Sequence, residues 1–179
     1  MARQYFADFT ADPPLANLTA VVATTETALW GAAQFTPISP NDCRSGKVYR
    51  VTAGGIVSTG ASGTLIITPR FGLTTGTGVT MGASGAQTVP VSVTNAPWLL
   101  DFLCVCRAVG APGVNSTVVG TGRFTMQGTL ATAGSGTVVA FGGTPATVDV
   151  SVATGITIGW TLSVAGSCTP QFAFIQPLN

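Results

Sequence analysis

The stretch Ala96-Pro97-Trp98-Leu99-Leu100-Asp101-Phe102-Leu103-Cys104-Val105-Cys106-Arg107-Ala108-Val109-Gly110 decides how the chain is to be read. With a period of two, Trp98, Leu100, Phe102, Cys104 and Cys106 fall on one face, and Leu99, Asp101, Leu103, Val105 and Arg107 on the other. The first face is wholly apolar, as a strand with one side in a core requires. Residues i and i+2 of a strand stand about 6.6 Å apart with parallel side chains, whereas a relaxed disulfide needs Cα atoms about 5.5 to 6 Å apart and converging Cβ vectors. A Cys104–Cys106 bridge would be strained, so two free thiols buried in a core strand are expected. Zinc would need further ligands at regular spacing, but the chain has no histidine, and Cys43 and Cys168 lack a C-x-x-C partner. No metal and no cofactor is expected.

Outward from this segment the chain keeps the same texture. Thr and Val favour strands, and glycine in short groups marks turns and bulges, so an all-β body is expected. Strands are expected over Ala20 to Trp30, Lys47 to Ser58 with a bend at Gly54-Gly55, Ser62 to Arg70, Gln87 to Val93, Trp98 to Val109, Ser116 to Leu130 and Thr137 to Phe141. The last third alternates most regularly: Val148, Val150 and Val152, then Ile156, Ile158, Trp160, Leu162 and Val164, each separated by a small or polar residue, as half-buried antiparallel strands are. Gln171 to Gln176 closes the chain, with Phe172 and Phe174 expected to face inward. Eight or nine antiparallel strands without an amphipathic helical window fit a two-sheet, jelly-roll-like sandwich. Residues 1 to 15 read as an extended arm carrying Arg3, Tyr5, Phe6 and Phe9, stiffened at Asp12-Pro13-Pro14, and residues 16 to 179 as one domain.

Composition restricts function. Charged residues are 7% of the 179, with a net charge of +1, against about 25% charged in ordinary soluble domains. A skin so poor in charge suits coverage by copies of itself or by a partner. Of the seven basic residues only Arg44, Lys47 and Arg50 cluster, beside Asp42, so nucleic acid is not expected as a partner. Mean hydropathy is +0.50, yet no window offers the ~20 continuous apolar residues of a spanning helix, and no membrane partner is expected. The start, MARQYFADFTADPP, carries Asp8 and Asp12 and no apolar run of signal-peptide length, which points to synthesis in the cytosol. Four cysteines in a chain of this size fit a reduced compartment better than a disulfide scaffold.

Catalytic patterns are sparse. Without an imidazole, Ser-His-Asp and Cys-His hydrolases are excluded. A carboxylate pair would have to come from Asp8, Asp12, Glu26, Asp42, Asp101 and Asp149, and Asp101 and Asp149 fall on outward strand positions. Gly76-Thr77-Gly78 and Gly120-Thr121-Gly122 begin like a dinucleotide fingerprint but hold Met81 and Thr125 where the third glycine belongs, so they read as turns.

Three phrases carry a resemblance: RVTAGGIVSTGASGTLIITPRFG at Arg50 to Gly72, APWLLDF at Ala96 to Phe102, and FGGTPATVDVSVATGITIGWTLSVAGS at Phe141 to Ser167, closing with PQFAFIQPLN at Pro170 to Asn179. In texture and order these resemble the jelly-roll virion proteins, head decoration or minor tail type, of tailed phages that infect actinobacteria. The resemblance implies a non-enzymatic capsid decoration protein that binds the major capsid protein on the outside of the head, as a homotrimer, after synthesis in the host cytoplasm. Arg3, Tyr5, Phe6 and Phe9 would then grip the capsid or a neighbouring subunit, since aromatics and arginine are the usual interface anchors. The alternative it implies is a minor tail or fibre-tip protein binding host-surface glycans, for which Trp30, Trp98 and Trp160 are the stacking candidates, although Trp98 and Trp160 alternate in phase with the core.

Overall fold

The structure is a computed structural model that describes residues 25–30, 38–73, 78–89, 91–110, 116–127 and 136–178. Arg3, Tyr5, Phe6 and Phe9 lie outside the described residues. Among the described residues there is no helix, and two antiparallel sheets pack face to face as a β-sandwich. The strands are β1 (Thr27–Ala28), β2 (Val48–Thr59), β3 (Gly63–Phe71), β4 (Val79–Thr80), β5 (Gln87–Val89), β6 (Val93–Ala108), β7 (Ser116–Gln127), β8 (Gly136–Gly142), β9 (Ala146–Val148), β10 (Ile156–Leu162) and β11 (Gly166–Pro177). The smaller sheet runs β1-β10-β3-β4 with β5 also on β3; the larger runs β11-β2-β6-β7-β8 with β9 also on β7.

One folded ribbon joins the sheets. The chain passes from β2 to β3 through residues 60–62 and from β10 to β11 through residues 163–165, changing sheet both times. The two corners lie side by side, with Thr59 opposite Gly166 and Leu65 opposite Leu162. Ser163 N donates to Thr64 O at 2.9 Å, and its hydroxyl accepts from Thr64 N at 2.7 Å. This wrap of β2–β3 against β10–β11 links the two sheets of the sandwich; the middle of the chain runs instead as a meander, β6-β7-β8.

Strand β6 alternates as its sequence requires. Ala96, Trp98, Leu100, Phe102, Cys104 and Cys106 are buried between the sheets. Trp98, Phe124 and Trp160 form the aromatic centre, with ring centroids 5.6 to 6.2 Å apart. Gly120-Thr121-Gly122 is not a turn: it lies inside β7, where the Phe102 ring occupies the space a side chain on either glycine would need. Phe102 also stacks on Phe141 at 5.9 Å, so two rings cover the gap in the middle strand.

Four further expectations change. Phe172 and Phe174 do not face the core: Gln171 is an extra residue opposite Gly54-Gly55, and beyond it Ala173 and Ile175 point inward. A bulge shifts the phase of a strand by one residue, which exchanges its faces. The two rings lie outside, 5.7 Å apart, with Phe172 over Gly54. The alternation at Val148, Val150 and Val152 does not continue as a strand, because the Asp149 carboxylate accepts from Ser151 N at 2.9 Å and from its hydroxyl at 2.6 Å, closing a turn. Strand β10 is covered on both faces, not half-buried, as Thr157 and Gly159 are buried too.

The fourth concerns the cysteines. Cys106 is not a free thiol: it is disulfide-bonded to Cys43, with Cα atoms 6.0 Å apart, while Cys104 and Cys168 are free and buried. The parallel side chains of Cys104 and Cys106 do rule out a bond between them, but the loop before β2 brings Cys43 to the end of β6. Gly46 N donates to Cys106 O at 2.8 Å and Cys106 N to Lys47 O at 2.9 Å, holding that loop in place.

Two measurements check this packing. Because the bridge closes a loop of sequence separation 63, Cys43→Ser is expected to cost about 4 kcal/mol through the larger entropy of the unfolded chain, measured by urea unfolding. A reductant should reproduce the loss in the parent and do nothing to the variant. Gly120→Val, which drives a side chain into the Phe102 ring, should lower stability by about 1 to 3 kcal/mol; an unchanged urea midpoint would contradict the packing described.

Candidate functional site

Three ion pairs, Glu26 with Arg70, Asp42 with Lys47 and Asp101 with Arg50, hold parts of the sandwich together. Glu26 and Arg70 meet through two hydrogen bonds of 2.6 Å, and Arg70 also donates to Gly78 O at 2.9 Å and to the Thr80 hydroxyl at 2.8 Å. The Glu26 side chain lies over Gly159, where a Cβ would collide with it, and so ties the segment around β1 onto β10. Asp42 accepts from the Tyr49 hydroxyl at 2.8 Å and lies 3.6 Å from Lys47. The Lys47 ammonium in turn sits 5.8 Å from the centre of the Tyr49 ring.

These contacts place the described sequence candidates; Asp8 and Asp12 lie outside the described residues. Glu26, Asp42, Asp101 and Asp149 each accept hydrogen bonds from a neighbour. Of the cluster Arg44, Lys47 and Arg50, Lys47 is held by Asp42 and Arg50 by Asp101. Trp30, Trp98 and Trp160 are buried, none of them more than 4% exposed. No group of three potential metal ligands occurs among the described residues.

What the geometry assembles instead is a surface: the outward face of β2, β6, β7 and β8. The pairing register arranges it in rows. Val48, Val105 and Val119 form one, Arg50, Leu103 and Thr121 the next, then Thr52, Asp101, Arg123 and Ala140, and then Gly54, Leu99, Thr125 and Val138. Leu99 is 42% and Val138 66% exposed. The face is Thr and aliphatic side chains with three charges near its centre. Alternation marks each of these residues as outward, but their assembly into rows follows from strand pairings that are remote in sequence.

Arg50 donates from Nε and an Nη to both Asp101 oxygens at 2.8 Å. Those hydrogen bonds, and then the charges of Arg50 and Arg123, hold the Asp101 carboxyl below the usual range against a smaller opposing effect of burial. Inside, burial pushes the Cys104 thiol up to about 12 and the Cys168 thiol well above its ordinary value, the latter drawn back a little by the Trp98 indole. Burial first, and then Asp42, pushes the Tyr49 phenol up too. Thiols held protonated in this way are poor nucleophiles.

Comparison with known proteins finds no match to any family model, curated protein or solved structure.

The shifted groups set the pH profile. Folded Asp101 keeps its charge to lower pH than the unfolded chain, so its contribution is present above about pH 4 and fades as the pH falls further. Asp101→Asn should flatten the acid side of a plot of stability against pH. Tyr49, Cys104 and Cys168 have raised values, so their contribution is complete below about pH 9 and is lost as the pH rises and the unfolded groups ionise. Tyr49→Phe should shallow the alkaline decline; an alkaline limb identical to that of the parent would contradict the burial assigned to Tyr49.

Proposed function

We propose that this chain is a bacteriophage structural protein: a capsid decoration subunit that binds the major capsid protein on the exterior of the assembled head, as a homotrimer, and stabilises the shell. The observation that supports this reading most is the outward face of β2, β6, β7 and β8, where Leu99 and Val138 stand exposed among other aliphatic residues. Contiguous exposed apolar surface on a rigid sheet marks a site of association. The scarcity of charge, 7% of residues, agrees with a surface covered in its working state. The resemblance of the phrases at Arg50 to Gly72 and Phe141 to Ser167 to phage virion proteins supplies the kind of assembly.

The mechanism is mass action. A subunit that binds only the assembled lattice stabilises it by about 2.7 kcal/mol per site at a concentration a hundredfold above its dissociation constant. Three linked subunits add avidity, since one docked copy raises the effective concentration of the other two. Buried, protonated thiols and charges spent on internal pairs suit this passive role. Arg3, Tyr5, Phe6 and Phe9 are proposed as a second contact to the capsid or to a neighbouring subunit.

The test is co-sedimentation of the purified protein with phage heads assembled without it. Leu99→Asp should fold normally and bind at least ~10-fold more weakly, because it places a charge at the centre of the contact. A chain lacking residues 1 to 12 should also fold and bind more weakly. Saturation should correspond to hundreds of copies per head; a handful of copies, or binding untouched by Leu99→Asp, would refute the reading.

A further inference from the structure

We infer that the outward face of the larger sheet is built for an acidic protein surface, and that Arg123 is the residue that selects it. The inference rests on the docking role proposed above and names the chemistry of the partner. Three charged side chains stand on the face, Arg50, Asp101 and Arg123. Asp101 is committed to Arg50, with both oxygens accepting at 2.8 Å. Arg123, directly across from Asp101 on β7, is exposed and makes no ion pair of its own among the described residues.

Its neighbours make that cation consequential. Leu99 and Val138 lie in the row on one side of it and Leu103 in the row on the other, so any partner that covers the aliphatic residues also takes Arg123 out of water. A cation desolvated without a counter-charge opposes binding, whereas a carboxylate facing it turns the same burial into discrimination between partners. Near the end of the same sheet Arg44, in the loop before β2, and Arg107, on β6, are exposed as well. With the face they make four cations against one acid, Asp101, a net +3. A second copy of the same face would bring like charge to like charge. Phosphate recognition would use a run of open cations, whereas here Arg50 is already held by Asp101 and Arg123 stands between rows of aliphatic residues.

The experiment is the same sedimentation with heads, run from ~50 mM to ~500 mM salt, where screening separates charged from apolar contacts. Parent affinity should fall with salt. Arg123→Glu should weaken binding about tenfold or more at low salt and remove most of the salt dependence, with Arg123→Lys close to the parent. Arg123→Gln, which avoids repulsion with Asp101, should be intermediate and decides the matter if the Glu variant does not fold. Equal binding by Arg123→Glu alongside loss in Leu99→Asp would overturn the electrostatic inference and leave the docking reading intact. Failure of the parent to bind heads would overturn both. Mixed-sequence DNA bound by the parent and released by Arg123→Glu would assign the face to phosphate and overturn the inference.

Discussion

The alternation along β6 is the constraint on which the rest depends. Sixteen residues long and central in the larger sheet, this strand commits Ala96, Trp98, Leu100, Phe102, Cys104 and Cys106 to the space between the sheets. Everything inward then follows by contact. Trp98 meets Phe124 and Trp160, Phe102 covers two glycines of β7, and Cys106 holds the loop before β2. Everything outward follows by exclusion: Leu99, Asp101, Leu103 and Val105 have nowhere else to go, and β2 and β7 place Arg50, Arg123 and further aliphatic side chains beside them.

The chemistry of the molecule is distributed to match. Groups that could react are buried and held protonated, as Cys104 and Cys168 are, or are paired, as Glu26 with Arg70 and Asp42 with Tyr49 are. Such pairs fix loops and edges: Glu26 ties the segment around β1 to the smaller sheet, and Asp42 stands in the disulfide-bonded loop at the end of the larger one. What faces solvent on β2, β6, β7 and β8 is mainly Thr and aliphatic side chains around Arg50, Asp101 and Arg123, the face on which the proposed docking rests.

Local pattern made much of this legible. The inward set of β6, the inward Ile156, Ile158, Trp160 and Leu162 of β10, and the all-β, two-sheet architecture all follow from period-two alternation. Three of the errors share one cause, which is that the deciding partner lies far away in the chain, whereas the break after Val148 is a local turn closed by Asp149 and Ser151. Phe172 and Phe174 point outward because Gln171 bulges opposite Gly54-Gly55, more than a hundred residues earlier. Gly120 and Gly122 looked like turn residues because the ring that fills their place belongs to Phe102 on another strand. The Cys43–Cys106 bond becomes visible only once β2 is known to pair with β6, so that Lys47 lies beside Cys106. The proposed docking face was legible as a set of outward residues, but its rows exist only through the register of four strands.

The claim that matters most is that this face meets the partner, and a density map of the intact particle tests it most directly. The account predicts subunits grouped in threes on the outside of the head, with the Leu99 and Arg123 side of the larger sheet turned down onto acidic capsid surface. Subunits seated by the smaller sheet with Leu99, Val138 and Arg123 open to solvent, or density for this chain at the tail alone, would contradict it.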